Sequence, residues 1–139
     1  MQPNPQKYGT GDNSYQAAGQ LEGITALVES FYTAMDTLPN AEHIRQMHAP
    51  DLTDAKLRFS YFLSGWLGGP RLHKEHFGGV HVPRFHKQFP IGETERDAWL
   101  ECMAMAIDKQ PYEASFKTYL LQQLKVPANA VVRVNQQPD

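Results

Sequence analysis

The sequence is poor in cysteine, contains no long apolar run, and leans to neither sign of charge. Its 139 residues include one cysteine, Cys102. A lone thiol cannot close an intrachain disulfide, which excludes a disulfide-stapled scaffold and points to a reducing, cytoplasmic setting. No stretch approaches the roughly 20 apolar residues needed to cross a bilayer, so no membrane helix is expected. Thirteen Lys and Arg stand against fifteen Asp and Glu, a formal charge of -2. That balance leaves no basic footprint for nucleic acid. The opening residues, MQPNPQKYGTGDNSYQ, lack an apolar core, and no secretory signal is expected from them. Strand patterning is also scarce, with Ala130–Val134 the only candidate.

What the sequence does have is helical period. Ile24, Leu27, Val28, Phe31 and Met35 recur as one helix face, with Tyr32 on its edge. Pro39 disfavours helix at the residue before it and should end this element. A short helical turn around residues 41–47 then runs into His48-Ala49-Pro50. Asp51 or Thr53 can cap the next helix, whose apolar stripe is Ala55, Phe59, Phe62, Leu63 and Trp66. Gly68-Gly69-Pro70 stops it. Thr94, with Asp97 three residues on, reads as the N-cap of a third helix bearing Ala98, Trp99, Cys102, Met105 and Ala106. Pro111 separates it from a fourth, with Phe116, Tyr119, Leu120 and Leu124, which Pro127 should end. Residues 1–16 read as a flexible polar arm and 129–139 as a tail. The class is all-α, in one domain.

The connection between the second and third helices is long for a bundle. It holds four of the six histidines: His73, His76, His81 and His86. Spacing alone leaves three readings open. All four could ligate a metal, one could be a ligand beside three bystanders, or none could be a ligand. A structural zinc site more often includes thiolates, and Cys102 lies on a predicted helix face far along the chain.

Phe31-Tyr32, FLSGWLGGP from Phe62 to Pro70, RFHKQFPI from Arg84 to Ile91, and ERDAWLECM from Glu95 to Met103 occur in an order and at separations that resemble the truncated haemoglobins of the second group. The resemblance spans roughly residues 15–128 and implies a truncated globin domain over 17–128. Its fold would be a two-over-two α-helical sandwich around haem. Helices near 21–37, 52–67, 94–109 and 112–126 would be its principal elements. The implied cofactor is haem b, iron protoporphyrin IX, held without a covalent link. The single cysteine already excludes attachment through a CxxCH motif.

The resemblance places the proximal iron ligand on His86, flanked by Phe85 and Phe89. A neutral imidazole there would donate its other ring N–H to a carbonyl or water. Relatives usually carry a basic residue just before this histidine and often a tyrosine near position 73. Here those positions hold Phe85 and His73. Propionate anchoring then falls to other cations: Arg84 first, with His73, Lys74 and Arg71 as substitutes. On the distal side the resemblance implies Tyr32, His48 and Trp99 as ligand-contacting residues. Phe31, Ala55, Phe59, Phe62 and Ile91 would complete the pocket. Ala55 fills the place where larger globins carry a distal histidine, and Phe59 would pack over the ligand.

A pocket with polar donors suits O2, NO, CO or peroxide. It should hold O2 too firmly for a carrier and favour NO or reactive-oxygen detoxification with an unidentified reductase. His48 or Tyr32 is also placed to serve as an internal sixth iron ligand. The competing readings are O2 storage or sensing, a zinc protein centred on the histidine loop, and a haem-free helical interaction module. No nucleic-acid or membrane partner is expected, and the chain should be a monomer or a weak dimer.

Overall fold

The computed structural model describes residues 8–79 and 91–136. Four long helices carry the core: α2 (Gln20–Thr37), α4 (Thr53–Trp66), α6 (Glu93–Asp108) and α7 (Ala114–Gln136). Three short ones, α1 (Asn13–Ala17), α3 (Glu42–Gln46) and α5 (Leu72–Phe77), and a 3-10 turn at Pro39–Ala41 join them. Helix α2 packs against both α4 and α6, and α6 packs against α7. The chain thus forms two helix pairs, α2 with α4 and α6 with α7, joined through α2 and α6. None of the helices among the described residues is long and apolar enough to cross a membrane.

Helix α2 buries Ile24, Leu27, Val28, Phe31, Tyr32, Ala34 and Met35, a stripe at helical spacing that faces both neighbours. Fully burying a side chain such as Phe31 or Leu27 contributes about 1.5–3 kcal/mol. Tyr32, which periodicity places at the edge of the stripe, is only 5% exposed. It is buried because α4 and the turn after α3 cover that edge. The helix ends where Pro39 forces Leu38 to extended backbone, φ -78° and ψ 127°.

Asp51 opens α4 from just outside it, its Oδ1 accepting both the N–H and the hydroxyl of Thr53, at 2.9 and 2.7 Å. Beyond its far end Gly68 adopts φ +93°, a conformation that favours glycine. The buried Ser64 hydroxyl donates to the Pro70 carbonyl at 2.7 Å and ties the exit of the helix down.

Three expectations need correction. Pro127 does not end the last helix; α7 runs through it to Gln136. Residues 129–136 are therefore helix rather than tail, and Ala130–Val134 is not a strand. A proline inside a helix forfeits one N–H bond but does not forbid continuation, and Val131 and Val132 are buried beyond it. The polar arm is anchored from residue 8 onward. The Tyr8 ring meets Phe116 edge-on at 5.1 Å, and its hydroxyl pairs with Ser115 at 2.8 Å. Lastly, the N-cap of α6 is Gly92 rather than Thr94, and Glu95 accepts the Gly92 N–H at 2.7 Å.

Candidate functional site

Helices α2, α4 and α6 and the turn after α3 meet around a cluster of aromatic rings. Phe31 lies at its centre, edge-on to Tyr32 at 5.0 Å, Phe59 at 5.4 Å and Trp99 at 5.3 Å. Tyr32 also meets His48 edge-on, with ring centroids 5.6 Å apart, and Phe59 at 6.4 Å. Phe59 and Trp99 close the circuit at 6.3 Å. Each ring comes from helical phase. Phe31 and Tyr32 are neighbours on α2, Phe59 faces them from α4, and Trp99 follows Glu95 by one turn on α6. Edge-on pairs of this kind are worth about 0.5–1.5 kcal/mol each beyond burial. The cluster is therefore both core and wall.

Three polar groups sit in this wall. Burial pushes the Tyr32 hydroxyl up to about 12, with the positive charge of Arg45 opposing the shift. Tyr32 therefore stays protonated at neutral pH and can donate. Its hydroxyl and the Trp99 indole N–H have no hydrogen-bond partner among the described residues. A donor without a protein partner is available to an acceptor that another molecule supplies. His48 differs. Its Nδ1 donates to the Ile44 carbonyl at 2.9 Å, so in the neutral ring Nε2 carries a lone pair and accepts. The neutral His48 ring is thus an acceptor or a metal ligand, not a third donor.

Ala55, Phe59 and Phe62 are half-buried along α4, as is Ile91 just before α6. Half-burial of large aromatic residues beside unpartnered donors fits a flat apolar cofactor with a small polar ligand on one face. His73 lies on α5, its Nδ1 donating to the Gly78 carbonyl at 2.9 Å, and Lys74 is exposed beside it. His81, Arg84, Phe85, His86 and Phe89 lie outside the described residues. Among the described residues no group of three or more His, Cys, Asp or Glu is placed to hold a metal ion. Cys102 is fully buried and its thiol is pushed up to about 11 by that burial, so it stays a neutral core residue.

Two arginines that periodicity does not single out are well placed. Arg58, on α4 beside Phe59, stacks its guanidinium 4.1 Å above the Phe77 ring and pairs with Asp54 at 2.8 Å. It brings a cation to the α4–α5 surface near His73. Arg45, on α3, reaches both α2 and the turn after His48. Position in the apolar stripe could not reveal either, because both are polar residues selected by tertiary neighbours.

The bacterial-like globin family matches residues 13–132. The Group 2 truncated hemoglobin YjbI of Bacillus subtilis (strain 168) is 31% identical over 125 residues, which cover 90% of this chain and 92% of that one. The cold-adapted truncated hemoglobin of the Antarctic marine bacterium Pseudoalteromonas haloplanktis TAC125 superposes with a TM-score of 0.84 at 31% identity, over 89% of this chain and 98% of its own. The truncated oxygen-avid haemoglobin of Bacillus subtilis gives 0.78 at 32% identity, over 86% and 98%.

Proposed function

The chain belongs to the bacterial-like globin family as a group II truncated haemoglobin with an all-α two-on-two fold, a haem globin that binds O2, and from that membership we propose that it retains O2 firmly for redox chemistry rather than delivering it. The observation that carries this reading is the pair of unpartnered donors, Tyr32 and Trp99, either side of Phe31 and Phe59. When bound, haem b supplies the iron at which O2, NO, CO or peroxide is held. Among the chain's own residues, His86 is the proximal ligand, between Phe85 and Phe89. Arg84, His73 and Lys74 are candidates for the propionates, and Arg58 joins them through its place on α4.

Tyr32 and Trp99 donate to the ligand. The high pKa of Tyr32 keeps its proton in place, and the indole N–H does not ionise. A hydrogen bond to a charged group is worth about 1.5–3 kcal/mol. Two such bonds slow release by roughly a hundredfold or more, at about 1.4 kcal/mol per factor of ten. Slow release suits NO or reactive-oxygen detoxification with a reductase as electron donor, in a cytoplasmic monomer or weak dimer. The oxygen-avid relative is named for the same property. His48, as an acceptor, is also placed to coordinate the iron itself. Stopped-flow O2 dissociation from the ferrous protein tests the reading, with slow release expected in wild type. Release as fast as from a carrier would favour O2 storage or delivery instead.

A further inference from the structure

We propose that Arg45 is a positioning residue for the ligand pocket, holding the turn that carries His48 against the helix that carries Tyr32. The claim rests on the reading that O2 is held by Tyr32 and Trp99. Arg45 engages three acceptors at once. Its Nε donates to Asp36 Oδ1 at 2.6 Å, one Nη to the Ala49 carbonyl at 3.0 Å, and the other to the Pro50 carbonyl at 3.0 Å. Asp36 lies on α2, one turn beyond Tyr32. Ala49 and Pro50 directly follow His48.

The backbone N–H of His48 donates to the Arg45 carbonyl at 3.0 Å, and its ring to the Ile44 carbonyl at 2.9 Å. The turn is thus stitched to α3 at His48, and Arg45 stitches the same turn to α2. The face-to-edge approach of His48 to Tyr32 is the geometry these contacts define. The Arg45 side chain is 23% exposed, so its bonds are partly shielded from water. A planar guanidinium presents its donors in fixed directions, and a lysine cannot reproduce three of them. The Arg45 charge also acts on Tyr32, opposing the rise in pKa that burial causes. Helix α3 has a second tie, His43 Nδ1 to Glu95 Oε2 at 3.0 Å, but His43 is 55% exposed and its bond runs to α6 rather than to the His48 turn. That tie serves as a control for general loosening of α3.

The test compares haem-loaded wild type, Arg45→Lys, Arg45→Gln, Asp36→Ala and His43→Ala. Three quantities are read: the C–O stretching band of the CO complex, the O2 dissociation rate, and the NMR cross-peak between the His48 and Tyr32 ring protons. Residues that act through others typically shift such equilibria by about three- to thirtyfold, and O2 release should accelerate within that range in both Arg45 variants. The C–O band should shift or split and the ring cross-peak should weaken. His43→Ala should leave all three within twofold of wild type. If Arg45→Gln does not fold, Arg45→Lys and Asp36→Ala carry the test, with smaller changes in the same direction. Unchanged spectra and rates in folded Arg45 variants would overturn the proposal, as would equal changes in His43→Ala. Rapid O2 release in wild type would overturn the O2-retention reading alone, because the ring cross-peak still reports whether Arg45 holds His48 against Tyr32.

Discussion

Tyr32 is buried and Trp99 is half-buried against the core, and each carries a donor that has no partner among the described residues. Replacing either by Phe keeps the ring and removes the donor. Tyr32→Phe and Trp99→Phe should each speed O2 dissociation by roughly ten- to a hundredfold, as expected for loss of one hydrogen bond to a charged ligand. Stopped-flow measurement checks this, and unchanged rates would remove both residues from the ligand's environment. Tyr32 also makes the fold sensitive to alkali. Its folded pKa is raised from 10 to about 12 by burial, so between those values the native state binds more protons than the unfolded chain. The associated stability is fully present below pH 10 and is lost as pH rises through about 12. A shift of this size corresponds to about 3 kcal/mol. Urea titrations at pH 9 and pH 11 should show lower stability at the higher pH, and the difference should shrink in Tyr32→Phe.

Much of the aromatic cluster is legible residue by residue. The resemblance carried by Phe31-Tyr32 and ERDAWLECM points to Tyr32 and Trp99, and the structure brings both rings against Phe31. His48 was also named, but its role as acceptor was hidden, because the tautomer depends on a carbonyl that only the α3 turn brings near. Arg45 and Arg58 went unseen for a similar reason. Their partners are backbone carbonyls, a carboxylate and an aromatic face assembled by packing, and no spacing rule marks them.

At the scale of elements, all four long helices are legible in the sequence, three of them to within a residue or two at each end, and the Gly-Pro stop after α4 is readable directly. The ends were harder. Pro127 looked like a terminator, yet apolar residues beyond it continue the α7 stripe and the helix with them. Proline there sacrifices the bond its N–H would make to the Gln123 carbonyl. Pro127→Ala should therefore raise stability by about 1–3 kcal/mol, seen as a higher midpoint in urea, with the fold unchanged. A lower midpoint would mean that the ring's packing outweighs the missing bond. The short α5 escaped notice because the glycines around the histidines disguised a single pair of helical turns. Gly68 shows the opposite constraint. Its φ of +93° favours glycine, and a side chain there would run into the Gly11 carbonyl. Gly68→Ala should cost about 2 kcal/mol or more, read as a lower Tm, and should loosen the docking of the N-terminal segment.

At the scale of the whole molecule, the fold presses two helix pairs together and leaves a polar-edged aromatic wall where they meet α3. The N-terminal segment, which composition alone reads as a loose arm, docks through Tyr8 onto α7, because two aromatic contacts, with Phe116 and Tyr119, and one hydroxyl pair outweigh a polar average. The same economy governs the histidine loop. Spacing leaves four ligands, one ligand or none open there, but family membership assigns haem as cofactor and leaves His86 as the residue expected to hold it.

The most direct measurement is the absorption spectrum of the purified protein supplied with haem, in ferric, reduced and CO-bound forms, for wild type and His86→Ala. A stoichiometric Soret band that shifts on CO binding in wild type, and is lost or loses its histidine-ligated character in His86→Ala, is the expected result. A wild-type protein that takes up no stoichiometric haem, or a His86→Ala protein with an unaltered spectrum, would contradict the account at its centre.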